Sequence, residues 1–543
     1  MAIRTMTEGR CSGIAGMVLH PLATALLLAA AMPGRLGWWP LLFVALVPLM
    51  ALALRERPGR SLLAGLLAGF VYHLCLLYWI VFVLGRYGGL PSWLSVPALM
   101  LLALYMAIYP AVFCWLLSRL AGRGNTFSPV LFLLAPFLWV GLDWLRAVLF
   151  TGFPWMDLGY GLYSVPLLLQ AADLGGHHLL TFCLVLVNTL ILCGLNSWLG
   201  EGVRPDRHVV LPAAAAMAFL ALVAGYSLIR AQQVESSLKM APKAGVSVVQ
   251  GNIPQDLKWT PAQREATVEV YRRLSAQAIA ARQPDLLVWP ETALPFFPGR
   301  DPLFAHVAGL AGEKRVWLLT GAPNFSMVSG SLAGSPESIE YANSALLISP
   351  EGMTAARYDK QHLVPFGEYV PLRELLFFLK PLVESVGNFR PGTESAPLAA
   401  GSLRLGTLIC YESIFPGLAR KSVAAGANLL VNLTNDAWYG RSSAPHHSFA
   451  MAVLRSVETR RSLVRAANTG ISGFVNPLGR VLSRGPLFEP LALTEEVPLL
   501  AGETLFVRFG YLFAPACLLL AAFLVMSRGW KRAESKTSKG NRG

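Results

Sequence analysis

Three features of this 543-residue sequence predict an α/β layered domain carried by a multi-helix membrane domain. The composition is 54% apolar and only 14% charged, where a soluble chain carries roughly a quarter charged residues. The deficit is uneven, falling in the first 230 residues and again near the C-terminus. Between these regions, residues 243–505 alternate short β-rich runs with amphipathic helical stretches, the pattern of a layered α/β domain.

A bilayer core takes about 20 apolar residues in helical form. Runs of that kind lie near 13–32, 36–54, 61–84, 94–118, 127–149, 165–195, 209–229 and 507–526. Asp173, His177 and His178 fall in the sixth, which places its first part at the membrane interface. Gly85, Gly88, Gly89 and Pro91 make the stretch between Leu84 and Trp93 a turn. Arg4 and Arg10 precede the first run, and Ala29-Ala30-Ala31 could pass for a cleavage site. Its apolar stretch is too long for a signal-peptide core and further spans follow at once, so it reads as a retained span.

Lysines and arginines gather in alternate loops. Arg4, Arg10, Arg55, Arg57, Arg60, Arg119, Arg123, Arg204, Arg207 and the basic tail after Met526 fall on one side. The opposite short loops hold little beyond Arg35, Arg86 and Arg146. The positive-inside rule then puts both termini in the cytoplasm and the domain between the seventh and eighth spans outside. The expected organisation is a transmembrane domain over 1–235, a catalytic domain over 243–505, a final helix over 507–526 and a basic cytoplasmic tail over 527–543.

The net charge of +14 does not mark a nucleic-acid partner. No basic stripe interleaves with aromatics, and the cations sit in short loops where anionic headgroups attract them. Of the seven cysteines, Cys11, Cys75, Cys114, Cys183, Cys193 and Cys517 lie in or beside apolar runs. Cys410 alone lies in the globular stretch, which leaves no disulfide staple there. No CxxC pair or Cys/His cluster suggests zinc.

Within the globular stretch, strands are expected at Val246–Ile253, Asp285–Trp289, Val316–Thr320, Ser344–Ser349, Leu403–Tyr411, Leu429–Leu433 and Gly473–Asn476. One helix starts with Thr260 as cap and Pro261 at its first position and runs to about Arg282. Another is expected over roughly His447–Ala466.

Three segments carry chemistry. In Leu286-Leu287-Val288-Trp289-Pro290-Glu291-Thr292 an apolar strand is stopped by Pro290 and followed by a carboxylate. In Arg357-Tyr358-Asp359-Lys360 a lysine leads into Gln361-His362-Leu363-Val364-Pro365-Phe366-Gly367-Glu368-Tyr369, which bears a second carboxylate. In Gly406-Thr407-Leu408-Ile409-Cys410-Tyr411-Glu412 a buried strand ends in the domain's only cysteine. Singly, these residues fit a solvated acid, a surface lysine and an inert core thiol. Together they form an acyl-transfer set. A thiol is a nucleophile as thiolate, a carboxylate can take its proton, and a lysine can stabilise the oxyanion that follows.

The motifs W-P-E-T, Y-D-K-x-H-L-V-P-F-G-E and C-Y-E, in this order, resemble those of the carbon–nitrogen hydrolase (nitrilase) superfamily. With the flanking spans, the resemblance narrows to the membrane-bound apolipoprotein N-acyltransferases of bacterial inner membranes. Gln250-Gly251-Asn252-Ile253-Pro254-Gln255 with Lys258-Trp259, Thr151-Gly152-Phe153-Pro154-Trp155, Asn435-Asp436-Ala437-Trp438 and Arg465-Ala466-Ala467-Asn468-Thr469-Gly470 are further shared features.

The resemblance implies a nitrilase-like α-β-β-α sandwich inserted between the seventh and eighth helices of an eight-helix transmembrane domain. It implies Cys410 as nucleophile, Glu291 as general base and Lys360 as oxyanion stabiliser. Glu368, Trp259, Tyr411 and Glu412 would be supporting residues, with Glu368 orienting Lys360. The implied reaction passes the sn-1 acyl chain of a phospholipid, typically phosphatidylethanolamine, through a thioester to the N-terminal amine of a diacylated apolipoprotein. No cofactor and no metal are implied, and a monomer is expected. The apolar run Leu375-Leu376-Phe377-Phe378-Leu379 would dip into the outer leaflet as part of a lid. Two rival readings are a membrane-tethered amidase and a transporter with a non-catalytic outer domain. The second would use Asp143, Asp173, His177 and His178 near or within apolar stretches.

Overall fold

The computed structural model of the chain describes residues 13–121, 130–199, 207–256, 258, 260–328, 338–369 and 389–540. Two compact units emerge: Met1–Val81 with Leu90–Ile229 and Tyr511–Gly543, and Phe82–Gly89 with Arg230–Gly510.

Among the described residues, the longer helices that precede the layered region are α1 (Ile14–Ala31), α2 (Val47–Arg55), α3 (Pro58–Leu77), α4 (Ser92–Ala121), α5 (Leu131–Val148), α6 (His177–Leu199) and α7 (Arg207–Met240). Among the described residues, α3 to α7 are long and apolar enough to cross a membrane, and the apolar helical stretches at Ala15–Ala31, Trp39–Arg55 and Phe513–Ser527 are shorter. The run expected as one span over 36–54 is interrupted. A 3-10 turn over Trp39–Phe43 gives way to α2, and each piece opens on a proline, Pro40 or Pro48, that has no N–H to donate. The run over 165–195 likewise breaks into Pro166–Leu169, Ala172–Gly175 and then α6, with Gly176 at φ +69 between the last two.

Close packing in this unit uses small residues, as helices in lipid do. A Cβ on Gly65 or Gly69 would stand 2.4 Å from Pro110 of α4. Buried charges lie close to one another: Arg146 pairs with Asp157 and lies 3.3 Å from Asp143, while His177 Nε2 lies 2.8 Å from Asp157. Asp173 accepts from the Tyr226 hydroxyl at 2.8 Å.

Among the described residues, the second unit is built on twelve strands. These are β1 (Lys243–Gln250), β2 (Leu286–Val288), β3 (Trp317–Val328), β4 (Ser338–Ile348), β5 (Thr354–Asp359), β6 (Leu398–Ala400), β7 (Leu403–Ile409), β8 (Leu429–Thr434), β9 (Ser462–Ala467), β10 (Gly473–Val475), β11 (Val481–Arg484) and β12 (Leu491–Pro498). They form two six-stranded sheets, ordered β12-β1-β2-β3-β4-β5 and β11-β10-β9-β8-β7-β6. The alternation of side chains along each strand explains how the sheets stack. Val246, Val248, Leu286 and Val288 share one core with Leu405, Ile409, Val431 and Leu433 of the other sheet. Their neighbours Val249, Leu287 and Trp289 face outward onto α8 (Pro261–Ala281) and α9 (Leu303–Lys314) through Val268, Tyr271, Val307 and Leu310. On the other sheet, α10 (Pro416–Ala424) lies against β7 and α11 (Ala444–Thr459) against β9. The expected α-β-β-α layering is present.

The helix expected over His447–Ala466 stops early. Arg460 takes the left-handed conformation at φ 51 and ends α11 at Thr459; the chain then reverses into β9, buried along its whole length. A strand covered on both faces reads as an unbroken apolar run, so its periodicity does not separate it from helix. β5, β6, β11 and β12 were not expected from the sequence; β6 and β11 are only three and four residues long, and β5 and β12 are largely part-exposed rather than apolar runs. After the short helix Leu505–Phe509, Gly510 at φ +69 separates the layered unit from α12 (Phe513–Gly540).

Arg465 on β9 is fully buried. It donates to Asp436 at 2.9 Å and to Ser448 at 3.0 Å, and also to Asn432. Replacing Arg465 with Met leaves Asp436 buried without its cation and should cost about 3–5 kcal/mol. The measurement is the thermal unfolding midpoint in detergent; an unchanged midpoint would show that the pair carries no stability.

Candidate active site

The two sheets present strand ends to one place. Glu291 lies just past β2, Lys360 follows β5 directly, and Cys410 follows β7 directly. β2 and β3 are parallel, and β5 returns to their direction through the antiparallel β4. The C-terminal ends of β2 and β5 therefore lie on one edge of the first sheet, while β7 brings Cys410 from the second.

Lys360 is 1% exposed. Its Nζ lies 2.9 Å from Glu368 and 3.8 Å from Glu291. Burial opposes its charge, but the carboxylates of Glu368 and then Glu291 outweigh that and hold the ammonium protonated far above neutrality. Each carboxylate is fixed in turn. Glu291 Oε1 accepts from Asn343 Nδ2 at 2.8 Å and Oε2 from the Asn435 backbone at 2.9 Å. Glu368 accepts from the same Asn343 nitrogen at 3.0 Å and from the Val364 backbone at 2.8 Å.

Cys410 completes the group. It is buried, at φ 54, a left-handed backbone that non-glycine residues adopt only where their surroundings hold them there. Burial pushes its thiol up to about 12; the negative charge of Glu291 adds to this and the Lys360 ammonium opposes it. Burial thus favours the neutral thiol, and use of this sulfur as a nucleophile would require transfer of its proton to a neighbouring base.

Glu412 does not join this group but ties its parts together. Its carboxylate accepts from the backbone of Ile409 at 2.7 Å, of Gln361 at 2.6 Å and of His362 at 3.1 Å, and from the Tyr358 hydroxyl at 3.0 Å. One side chain thus fastens the residue before Cys410 to the residue after Lys360. Tyr411 points elsewhere, packing its ring on Phe415 at 5.0 Å and His362 at 5.9 Å. Trp259 and the run Leu375–Leu379 lie outside the described residues.

Sequence reasoning missed Asn343 and the contact made by Lys258. Asn343 is a lone amide within the β4 run, and nothing in its neighbourhood separates it from an outward-facing polar residue. Lys258 and Asn435 stood inside motifs already marked, without a role.

Burial raises the Glu412 carboxyl to about 7 from its ordinary 4.5, against the pull of its backbone partners. Between those values the folded state holds a proton that the unfolded chain has released. The associated stability is present at the acid end and is lost as pH rises toward neutrality. Thermal midpoints measured across that window should lose this decline in Glu412→Gln; the same slope in the variant would assign the titration to another group.

Comparison with known proteins covers nearly the whole chain. A family model described as the apolipoprotein N-acyltransferase N-terminal domain matches residues 23–190, and one described as carbon-nitrogen hydrolase matches residues 245–500. An apolipoprotein N-acyltransferase of Geobacter metallireducens is 41% identical over 93% of this chain and 94% of its own. The enzyme of that name from Vibrio cholerae is 32% identical over 87% and 90%, and that from Azotobacter vinelandii 34% over 96% and 97%.

Proposed function

The chain belongs to the apolipoprotein N-acyltransferase family, and we propose that it transfers the sn-1 acyl chain of a phospholipid to the N-terminal amine of a diacylglyceryl-cysteine on an apolipoprotein. The observation that carries this reading is the Lys360 ammonium, buried between Glu291 and Glu368 at the strand ends where Cys410 emerges.

In the first half-reaction, Cys410 Sγ attacks the ester carbonyl while Glu291 takes the thiol proton. Lys360 faces the oxyanion of the tetrahedral intermediate. The glycerol oxygen leaves as its bond to the carbonyl carbon breaks and takes the proton from Glu291, giving a lysophospholipid and a thioester. In the second, the acceptor's free amine attacks the thioester carbonyl and gives its proton to Glu291. The Cys410 sulfur leaves and recovers a proton from Glu291. The product is an amide, and the enzyme returns to its starting state. Glu368 touches no reacting atom; with both oxygens 2.9 Å from Lys360 Nζ and Oε2 also accepting from the Val364 backbone, it aims the ammonium. Splitting the transfer lets two membrane-anchored substrates use one site in turn.

We assign this chemistry to the outer face of a bacterial inner membrane, with both termini cytoplasmic, α1 to α7 and α12 forming the eight-helix membrane part, and the enzyme acting as a monomer on phosphatidylethanolamine. The turn at 82–89 supports the side assignment. It belongs with the catalytic unit, where Arg86 pairs with Asp256 at 2.7 Å and the Tyr87 hydroxyl donates to the Ala437 carbonyl at 3.2 Å. In an alternating eight-span topology that turn follows the third span and the catalytic domain the seventh, so both belong on one side. An amidase acting on small soluble amides has no use for the apolar helices.

The test follows a labelled sn-1 chain from phospholipid vesicles to a synthetic diacylglyceryl-cysteinyl peptide. Wild-type protein should label the peptide. Glu291→Gln should lower the rate by about 10²–10⁴-fold and Lys360→Met by about 10²–10³-fold. Release of free fatty acid with no labelled peptide would replace the transferase reading with a hydrolase.

A further inference from the structure

The motif that begins at Gln250 includes a lysine whose surroundings are unusual. Lys258 is fully buried, yet it reaches none of the reacting side chains. Its Nζ donates to Thr292 Oγ1 at 2.8 Å and to the backbone carbonyl of Glu291 at 3.3 Å. Both acceptors belong to the peptide that carries the carboxylate.

That peptide is strained. Thr292, directly after Glu291, has φ 46, a left-handed conformation that a β-branched residue adopts only under constraint. On one side β3 backs directly onto it: a Cβ on Gly321 would stand 2.6 Å from Glu291 Cα and 2.5 Å from Thr292 N. On the other side lies Lys258. The lysine's own loop is anchored, since the Ile253 backbone donates to Asn468 Oδ1 at 2.9 Å and Lys258 N donates to the Pro254 carbonyl at 3.2 Å. Asn435 Nδ2 donates to Gln255 Oε1 at 2.6 Å in the same loop, while the Asn435 backbone donates to the Glu291 carboxylate. One loop thus grips Glu291 twice, through its main chain by Lys258 and through its carboxylate by way of Asn435.

We infer that Lys258 is a positioning residue for the general base, clamping the strained Glu291–Thr292 peptide so that the carboxylate stays aimed at Cys410. This rests on Glu291 acting as the proton acceptor. The clamp does not depend on a charged lysine. Burial pulls its amine down to about 7, against the attraction of Glu291, and a neutral amine still has two N–H groups for its two acceptors.

The test measures single-turnover acyl-enzyme formation by the full-length protein in detergent with phosphatidylethanolamine as donor, alongside thermal midpoints. Lys258→Met should slow the step by about 10- to 100-fold with the half-saturating lipid concentration unchanged. Adding Thr292→Gly to Lys258→Met should restore much of the rate, because glycine takes the left-handed conformation unaided. Thr292→Val, which removes only the hydroxyl acceptor, should slow the step in a protein that keeps the lysine, and this variant decides the matter if Lys258→Met does not fold. Wild-type rates in Lys258→Met or in Thr292→Val would overturn the inference, as would a slow Lys258→Met that the glycine does not rescue. Glu291→Gln runs in parallel. A fast Glu291→Gln removes the underlying reading, whereas a slow Glu291→Gln beside fast clamp variants removes the clamp alone.

Discussion

Withdrawing a lysine ammonium from water carries a penalty of several kcal/mol, and the site is organised around meeting it. Lys360 is 1% exposed and sits 2.9 Å from one carboxylate and 3.8 Å from another. Both carboxylates are held in turn by Asn343, which donates to each of them from a single nitrogen. The result is a fixed cation with fixed anions around it, already in place before a substrate arrives. Such preorganisation is where an acyl-transfer site gains most.

The layered fold makes that arrangement possible by bringing strand ends from two sheets to one spot. The residues supplied by the first sheet and the cysteine supplied by the second still need a fixed mutual position, and sheet stacking alone does not set it to a fraction of an ångström. Glu412 does so with one buried carboxylate that binds main-chain groups on both sides. Strain marks the same places. Cys410 and Thr292 both hold left-handed backbones, the first carrying the thiol and the second directly following Glu291.

Much of this was legible in the sequence because it rests on local patterns. An apolar run cut by Pro290 announces a strand end before Glu291, and the long apolar helices announce themselves by length alone. The α-β-β-α layering followed from the family resemblance, and the stacked cores bear it out. What the sequence concealed was tertiary. β9 is covered on both faces and so has no alternation to read, which lent its residues to the helix before it. Asn343 becomes significant only when β4 and the loop after Lys360 meet. The break between Trp39–Phe43 and α2 was signalled by Pro40 and Pro48, but a hydropathy window averages over such breaks.

The central claim is that Cys410 carries the acyl chain as a thioester, and intact mass tests it most directly. Full-length protein incubated with a phospholipid of defined chains, without acceptor, should gain the mass of one acyl chain. Hydroxylamine should remove that mass, and Cys410→Ala should never acquire it. An adduct that persists in Cys410→Ala, or none on protein that still labels the peptide acceptor, would contradict the account and require direct transfer between the two lipids.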